Sequence, residues 1–394
     1  MSLIASSWLK GNGAASMYKA GLTTQIYRSI DEVAPVAWGS IFPDVPEGYE
    51  FYKVVEAAFL DEYTFYYVTI FRGDQIVCLV PAFVTTFALD TTVKGPLKSF
   101  TGSLRRRFPR LLDVKILIAG SPLSGGKLGV ADQDQPDIAR TLDEAISSLA
   151  QRENINLVAF KDFHQTQTLF LDCLLKHRFH RIRSFPSVNL DINFTSFDDY
   201  LAGLSKPTRK GLKKKFRDID AQPLLKNEVQ DSLGELLGDA YQLYLNTLQK
   251  SEIQFEVLPK SFFEQISARM PGKTKFFLWK LDGKLVAFDL CLVSGDQMVD
   301  EYIGLDYGVA YQYHLYFDTY RVIIKWCLAH GIRNYEAGAL NYEPKKRLDF
   351  AFTSQYIYVK HRNPVINILF GLLGCMLKPE NFDPVLKSMR TDMV

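Results

Sequence analysis

A carboxylate set among apolar neighbours on a strand can take a proton from an amine, and Glu301 stands in such a place. Between Met298 and Asp306 the residues alternate, which predicts a strand with Val299, Glu301, Ile303 and Leu305 on one face and Asp300, Tyr302 and Gly304 on the other. Burial disfavours the ionised carboxyl and raises its pKa toward the range of a general base. Glu301 is the candidate on that ground, its ordinary alternative being a structural carboxylate in a salt bridge. Making an amide from an activated acyl donor sets two demands: the amine must lose a proton, and the tetrahedral oxyanion must meet fixed donors. A carboxylate or water relay meets the first, and backbone N–H groups of a splayed strand meet the second. The leaving thiolate or ribose oxygen needs a proton, for which Tyr342 offers a phenol unless it simply packs on the sheet.

A second chemical feature is a dense cationic run. Ser205 can cap a helix, Pro207 fits its first turn, and Leu212 with Phe216 supplies an apolar anchor. Lys206, Arg209, Lys210, Lys213, Lys214 and Arg217 then form a stripe on the other side. Mutual repulsion along that stripe favours an anionic partner: coenzyme A phosphates, a tRNA acceptor arm or a phosphorylated acceptor. A solvated face near Asp218 and Asp220 is the plainer alternative. His314, near a helix start, has either an anion contact or a capping or surface role, and His361 at a strand exit reads as structural. The loop Gly120 to Gly129 lacks phosphate-loop spacing, since no Ser or Thr follows Lys127, and reads mainly as a glycine-rich connection.

The elements that must position these groups repeat. Phe65 to Val84 is two β-rich runs around Arg72-Gly73-Asp74, and Lys275 to Val293 repeats the plan around Leu281-Asp282-Gly283. Ile138 to Phe160 reads as a helix and then a strand from Ile155, and Leu315 to Ala337 as a helix and then a strand from Ile332. Each half is hairpin, strand, helix, strand, an α/β (α+β) architecture used twice. An insertion between Leu89 and Asp134 carries Arg105-Arg106-Arg107. The polar stretch Asn193 to Asp199 marks the boundary, giving domains 1–195 and 196–362 and a tail 363–394. In the tail, Val365, Ile366, Ile368, Leu369, Leu372 and Leu373 line one helical face, expected to pack on the body, with weak membrane-surface contact as the alternative.

Composition narrows the class. At 394 residues, 47% of them hydrophobic, the chain can bury two cores. Forty-six basic against 44 acidic residues, a net charge of +2, exclude a molecule-wide electrostatic surface for nucleic acid, so no stable DNA binding is expected. Five scattered cysteines and six histidines show no metal spacing, which predicts a cytoplasmic, reducing setting and no metal. Met1 to Ala15, with Lys10, lacks an apolar core of secretory length, and Val365 to Met376 is shorter than a bilayer span.

One stretch adds a resemblance. Leu315-Tyr316-Phe317-Asp318, Ala329-His330-Gly331, Tyr335-Glu336-Ala337-Gly338-Ala339, then Glu343, Lys345, Arg347 and His361, resembles the C-terminal signature of the FemAB-like N-acyltransferases of the GNAT superfamily. The resemblance implies two tandem GNAT-like units, each a mixed sheet flanked by helices, moving an acyl group onto a small-molecule or peptide amine. It implies that Glu343 and Lys345 line the transfer cleft; on the residues themselves Glu301 or Glu336 is assigned as base and Tyr342 as acid, with the C-terminal unit and the groove between domains expected to form the site. Lys345, the basic run, His314, Tyr316 and Arg347 would bind donor or acceptor. Acyl-CoA is the implied co-substrate. Because Asp306 to Ala310 stands where a pyrophosphate loop would precede the helix, an aminoacyl-tRNA donor serving a cell-wall peptide precursor stays open, as does a non-catalytic anionic-ligand-binding protein.

Overall fold

Both Gly-containing turns close hairpins. In the computed structural model, which describes residues 21–59, 61–88, 113–131, 135–251, 256–374 and 378–389, Asp282 and Gly283 take φ of +49° and +80° between paired Leu281 and Lys284. That is the conformation a two-residue hairpin loop requires. Gly73 takes φ of +61° between paired Arg72 and Gln75.

The strands form two sheets. The first contains β1 (Leu22–Tyr27), β2 (Thr64–Arg72), β3 (Gln75–Ala88), β4 (Asp113–Ala119), β5 (Gly129–Val130), β6 (Leu157–His164) and β7 (His180–Arg183). The second contains β8 (Ser187–Asp191), β9 (Leu225–Gln230), β10 (Thr274–Leu281), β11 (Lys284–Ser294), β12 (Gln297–Leu305), β13 (Asn334–Glu336) and β14 (Ala351–Thr353). The last strand, β15 (Gln355–His361), returns to the first sheet. Their orders are β1-β2-β3-β4-β6-β15-β7, with β5 on β3, and β14-β8-β13-β12-β11-β10-β9. In each, a hairpin is followed by an antiparallel strand (β4 or β12), a helix and a parallel strand (β6 or β13). The expected echo is therefore present in the pairing itself.

Each crossover helix is amphipathic and buries one face. Pro136–Arg152 buries Ile138, Leu142, Ile146 and Leu149 in the first core, and Leu315–His330 buries Leu315, Tyr320, Ile323, Ile324 and Cys327 in the second.

The units do not follow chain order. Contacts gather residues 1–42, 60–182 and 356–377 into one unit and 43–59, 183–355 and 378–394 into the other, a division that differs from the expected 1–195, 196–362 and 363–394. Strand exchange is the reason. β8 falls in the expected N-terminal domain, yet it pairs with β13 and β14, and β15 from the later half enters the first sheet beside β6. Within the tail, Val365, Ile366, Ile368, Leu369 and Leu372 are exposed, so the apolar face expected to pack on the body faces outward.

The glycine-rich loop is a tight connection. Gly126 donates its amide to the Asp162 carbonyl at 2.9 Å, and a Cβ there would stand 2.5 Å from the Lys161 carbonyl oxygen. Glycine serves close approach of loop to strand. Arg105 to Arg107, Lys10 and Cys375 lie outside the described residues.

Gly304 has a similar role in the second unit. An added Cβ would meet the Phe288 ring at 2.2 Å and the Tyr244 amide nitrogen at 2.8 Å, where the helix Leu237–Lys250 crosses β12. Gly304→Ala is expected to cost about 1–3 kcal/mol through overpacking, read as a lowered melting temperature. An unchanged melting curve would mean that the helix is not seated there.

Candidate active site

The acid cluster is built by a bulge. On β12, Tyr302 pairs with Leu290 and Asp300 with Cys291, so the register shifts and Glu301 is the inserted residue. An inserted residue breaks the strand's alternation and re-aims its side chains. The expected single face through Val299, Glu301 and Ile303 is thus interrupted at Glu301. Asp300 is turned to Tyr335, while Tyr302 meets Tyr244 and Phe262 edge-on. On its other edge β12 is paired with β13 only from Gln297 to Val299, opposite Asn334 to Glu336. Beyond Val299, no described strand occupies that edge of β12. β13 ends at Glu336, and its pairing with β12 ends with it.

Behind the bulge lies a buried acid pair. Asp289, 1% exposed, is bonded to Asp300 through its carboxyl, and Tyr335 donates its hydroxyl to Asp300 Oδ2 at 2.7 Å. Burial, and then the neighbouring Asp300 charge, holds the Asp289 carboxyl well above its usual range. Of the pair, Asp289 is the carboxyl whose protonated form burial favours. The Tyr316 and Tyr320 hydroxyls, 3.1 Å apart, are both pushed upward mainly by burial.

Among the described residues, Asp289, Cys291 and Asp300 are the one group whose ligand atoms lie within 4.8 Å of one another. Burial, with the neighbouring carboxylates, pushes the Asp289 carboxyl and the Cys291 thiol up. The positive charge that acts on Asp289 is that of Lys345.

Lys345, on the short helix Tyr342–Arg347, is 4% exposed and reaches back into the loop after β13. Its ammonium donates to the carbonyls of Ala337 (2.5 Å), Gly338 (3.2 Å) and Leu340 (3.0 Å). Gly338, Leu340 and Asn341 all have positive φ, +65°, +68° and +49°, a conformation that a leucine adopts only at a cost. The lysine holds that loop in place. Burial lowers its pKa to about 8, opposed by Asp300, Asp289 and Glu336. It is thus mostly charged at neutral pH, as three carbonyl acceptors require.

The expected site residues fall into separate places. Lys345 lies near Asp300, Asp289 and Glu336, the last residue of β13, Tyr335 bonds to Asp300, and Glu301 follows Asp300 at the bulge. Tyr316 joins them through its bond to Asn341. Tyr342, 1% exposed, donates its hydroxyl to the Pro186 carbonyl at 3.0 Å and packs on Phe352. Glu343 and Arg347 pair with each other at 2.7 Å on the exposed side of their helix. Asp289 and Asp300 were not singled out by sequence reasoning. Asp289 left a signal, the single charge within the apolar run Leu285 to Val293.

The cationic run forms the helix Lys206–Asp220, capped by Ser205 and buried through Leu212, Phe216 and Ile219. Its far end is tied down by Arg321, which donates to Asp318 at 2.6 Å and Asp220 at 2.8 Å while Trp279 donates to Asp318 at 2.8 Å. Arg209 donates to the Ala202 (2.7 Å) and Leu204 (3.2 Å) carbonyls and so caps the preceding helix. Lys206, Lys210, Lys213, Lys214 and Arg217 are exposed. His314 precedes the helix Leu315–His330 with φ of +49°. Its pKa is lowered by burial and by Lys215, whose Nζ lies 3.5 Å from Nδ1, while Asp218 lies 3.9 Å from Nε2.

The described helices include none long and apolar enough to cross a membrane. A FemAB-like family described as peptidoglycan biosynthesis/recognition matches residues 99–362. The Mycobacterium tuberculosis protein named "Putative 8-amino-7-oxononanoate synthase 2", curated from strains CDC 1551 / Oshkosh and H37Rv, is 24% identical over 327 residues, 79% of this chain. The chain spans only 41% of that relative's length. In structure the chain is similar to FemX, with a TM-score of 0.58 at 12% identity over 89% of this chain and 100% of that one. It is also similar to a tandem GNAT protein from the clavulanic acid biosynthesis pathway, with a TM-score of 0.51 at 12% identity over 87% of this chain and 99% of that one.

Proposed function

The chain belongs to the FemAB-like family and is built of two GNAT-like units, and from that premise we propose that it is an N-acyltransferase that moves an acyl group from acyl-CoA onto an amine. The observation that carries this reading is the bulge that inserts Glu301 into β12 just past the end of its pairing with β13, next to a buried aspartate pair and a clamped loop. Glu301 takes the proton of the attacking amine, with Glu336 at the end of β13 as the second carboxylate. Nitrogen bonds to the thioester carbon, N–H groups of the open β12 edge meet the oxyanion, and the carbon–sulfur bond breaks. A thiolate is weakly basic and leaves without an obligatory acid, so Tyr342, tied to Pro186, serves packing. Asp289 and Asp300 hold a proton behind the site, and Lys345 keeps the loop open.

The named product of the curated relatives, an 8-amino-7-oxo acid, carries an amine on an aliphatic chain, and that class of acceptor is part of this reading. Lys210, Lys213, Lys214 and Arg217 meet donor phosphates. Amine-dependent release of free thiol from acetyl-, octanoyl- or palmitoyl-CoA tests it. Reversing Lys210, Lys213 and Lys214 to glutamate is expected to raise KM for the donor by about tenfold or more with kcat little changed, as loss of uniform binding requires. No thiol release with any of these donors would sink the acyl-CoA reading.

The exposed cationic helix also favours a second reading, aminoacyl transfer from tRNA to a cell-wall peptide precursor. It predicts tRNA retention that falls steeply with salt and is lost in the same triple variant.

A further inference from the structure

The helix Pro364–Gly374 in the first unit presents its apolar side outward. Val365, Ile368, Leu369 and Leu372, spaced i, i+3, i+4 and i+7, are 67%, 61%, 51% and 66% exposed. What seats the helix is its polar and small side. Asn367, 4% exposed, accepts from the His361 amide at 2.7 Å and donates to the Arg178 carbonyl at 2.9 Å. A Cβ on Gly371 would stand 2.6 Å from the His180 ring, and one on Gly374 would stand 2.9 Å from Ile182. The helix is therefore bolted in this orientation, and its apolar stripe is left on the surface.

The same bolt joins the stripe to cations. Arg178 and His361 line a cavity of about 500 Å³ together with Lys176, His177, Lys360 and Arg362. Asp143 in its wall pairs with Lys360 and, at 3.5 Å, with His177, while Lys176, Arg178 and Arg362 are exposed at the rim. From Pro364 to Gly374 there is no charged residue.

We propose that this face docks the chain on an anionic lipid bilayer. The Val365–Leu372 stripe enters the boundary between headgroups and acyl chains, and Lys176, Arg178 and Arg362 meet lipid phosphates. A bilayer answers both features together: apolar contact is gained in the same plane in which negative charge lies. A second copy of the chain answers only one, because two such faces would bring their cationic rims together.

Flotation of the full chain with vesicles tests the assignment, independently of any transfer activity. Wild type is expected to float with vesicles of phosphatidylglycerol and phosphatidylcholine in equal parts and far less with phosphatidylcholine alone. The double variant Ile368→Glu, Leu369→Glu is expected to lower the bound fraction about tenfold or more, and Arg178→Glu with Arg362→Glu to remove the preference for anionic vesicles. Melting curves verify folding, since the replaced side chains are exposed. Wild type that stays unbound, or an apolar variant that floats like wild type, overturns the proposal. A dimer in light scattering that the apolar variant dissociates, without vesicle binding, does so as well.

Discussion

Lys345→Met is expected to abolish transfer and to cost about 3–5 kcal/mol of stability, the scale of removing one partner from a buried charged network. The substitution keeps the length of the chain but takes away three N–H donors at once. The carbonyls of Ala337, Gly338 and Leu340 would be left without their donor in a buried site, and Asp300 and Asp289 would lose the cation beside them. With nothing to hold the positive-φ turn, the loop after β13 loses its set conformation. Thermal unfolding and thiol release together check this, and a variant that melts and turns over like wild type would refute the clamp.

The pH dependence of the same residue separates activity from unfolding. Burial sets Lys345 at about 8, below the ordinary lysine value near 10.4. Below pH 8 folded and unfolded chains both carry the proton, and folding bears the cost of burying the charge. Between about 8 and 10.4 the folded chain releases it first, so this group's contribution to stability rises with pH. Transfer is expected to fall over that interval, because a neutral amine has only two N–H groups for three carbonyls. The signature is a declining rate without a declining melting temperature.

Glu301→Gln is expected to lower kcat by about 10²–10⁴, the span of a lost general base. Glutamine preserves volume at the bulge, so β12 keeps its register and KM for the donor is expected to move little. The acid limb of the pH–rate profile is expected to vanish with the carboxylate. If Glu301→Gln retains full kcat while Glu336→Gln does not, the base belongs to β13. If both retain it, the assignment of a carboxylate base to β12 or β13 is wrong.

Much of the second unit can be read along the chain because its signals are short in range. Asp282-Gly283 dictates a tight hairpin through its own φ values, and the Leu212, Phe216 and Ile219 spacing dictates which side of the basic helix is buried. The family signature runs through Glu336 and Lys345, which the fold brings near each other. It does not separate Lys345, which turns inward, from Glu343 and Arg347, which pair at the surface two residues to either side. On a helix those two positions share a face that Lys345 does not.

What the amino-acid order determined by itself was therefore the set of local elements: two turns, two amphipathic crossover helices, a cationic helix and the repetition that makes two units. Tertiary structure decided the rest. The extra residue at Glu301 exists only against the register of β11, β8 and β15 found their sheets through partners far away in the chain, and the tail helix turned its apolar stripe outward because Asn367, Gly371 and Gly374 fit the neighbouring strand and turn. Backbone conformation is chosen by a residue and its near neighbours, whereas register, burial of a lone carboxylate and the facing of a helix depend on which distant segment supplies the complementary surface.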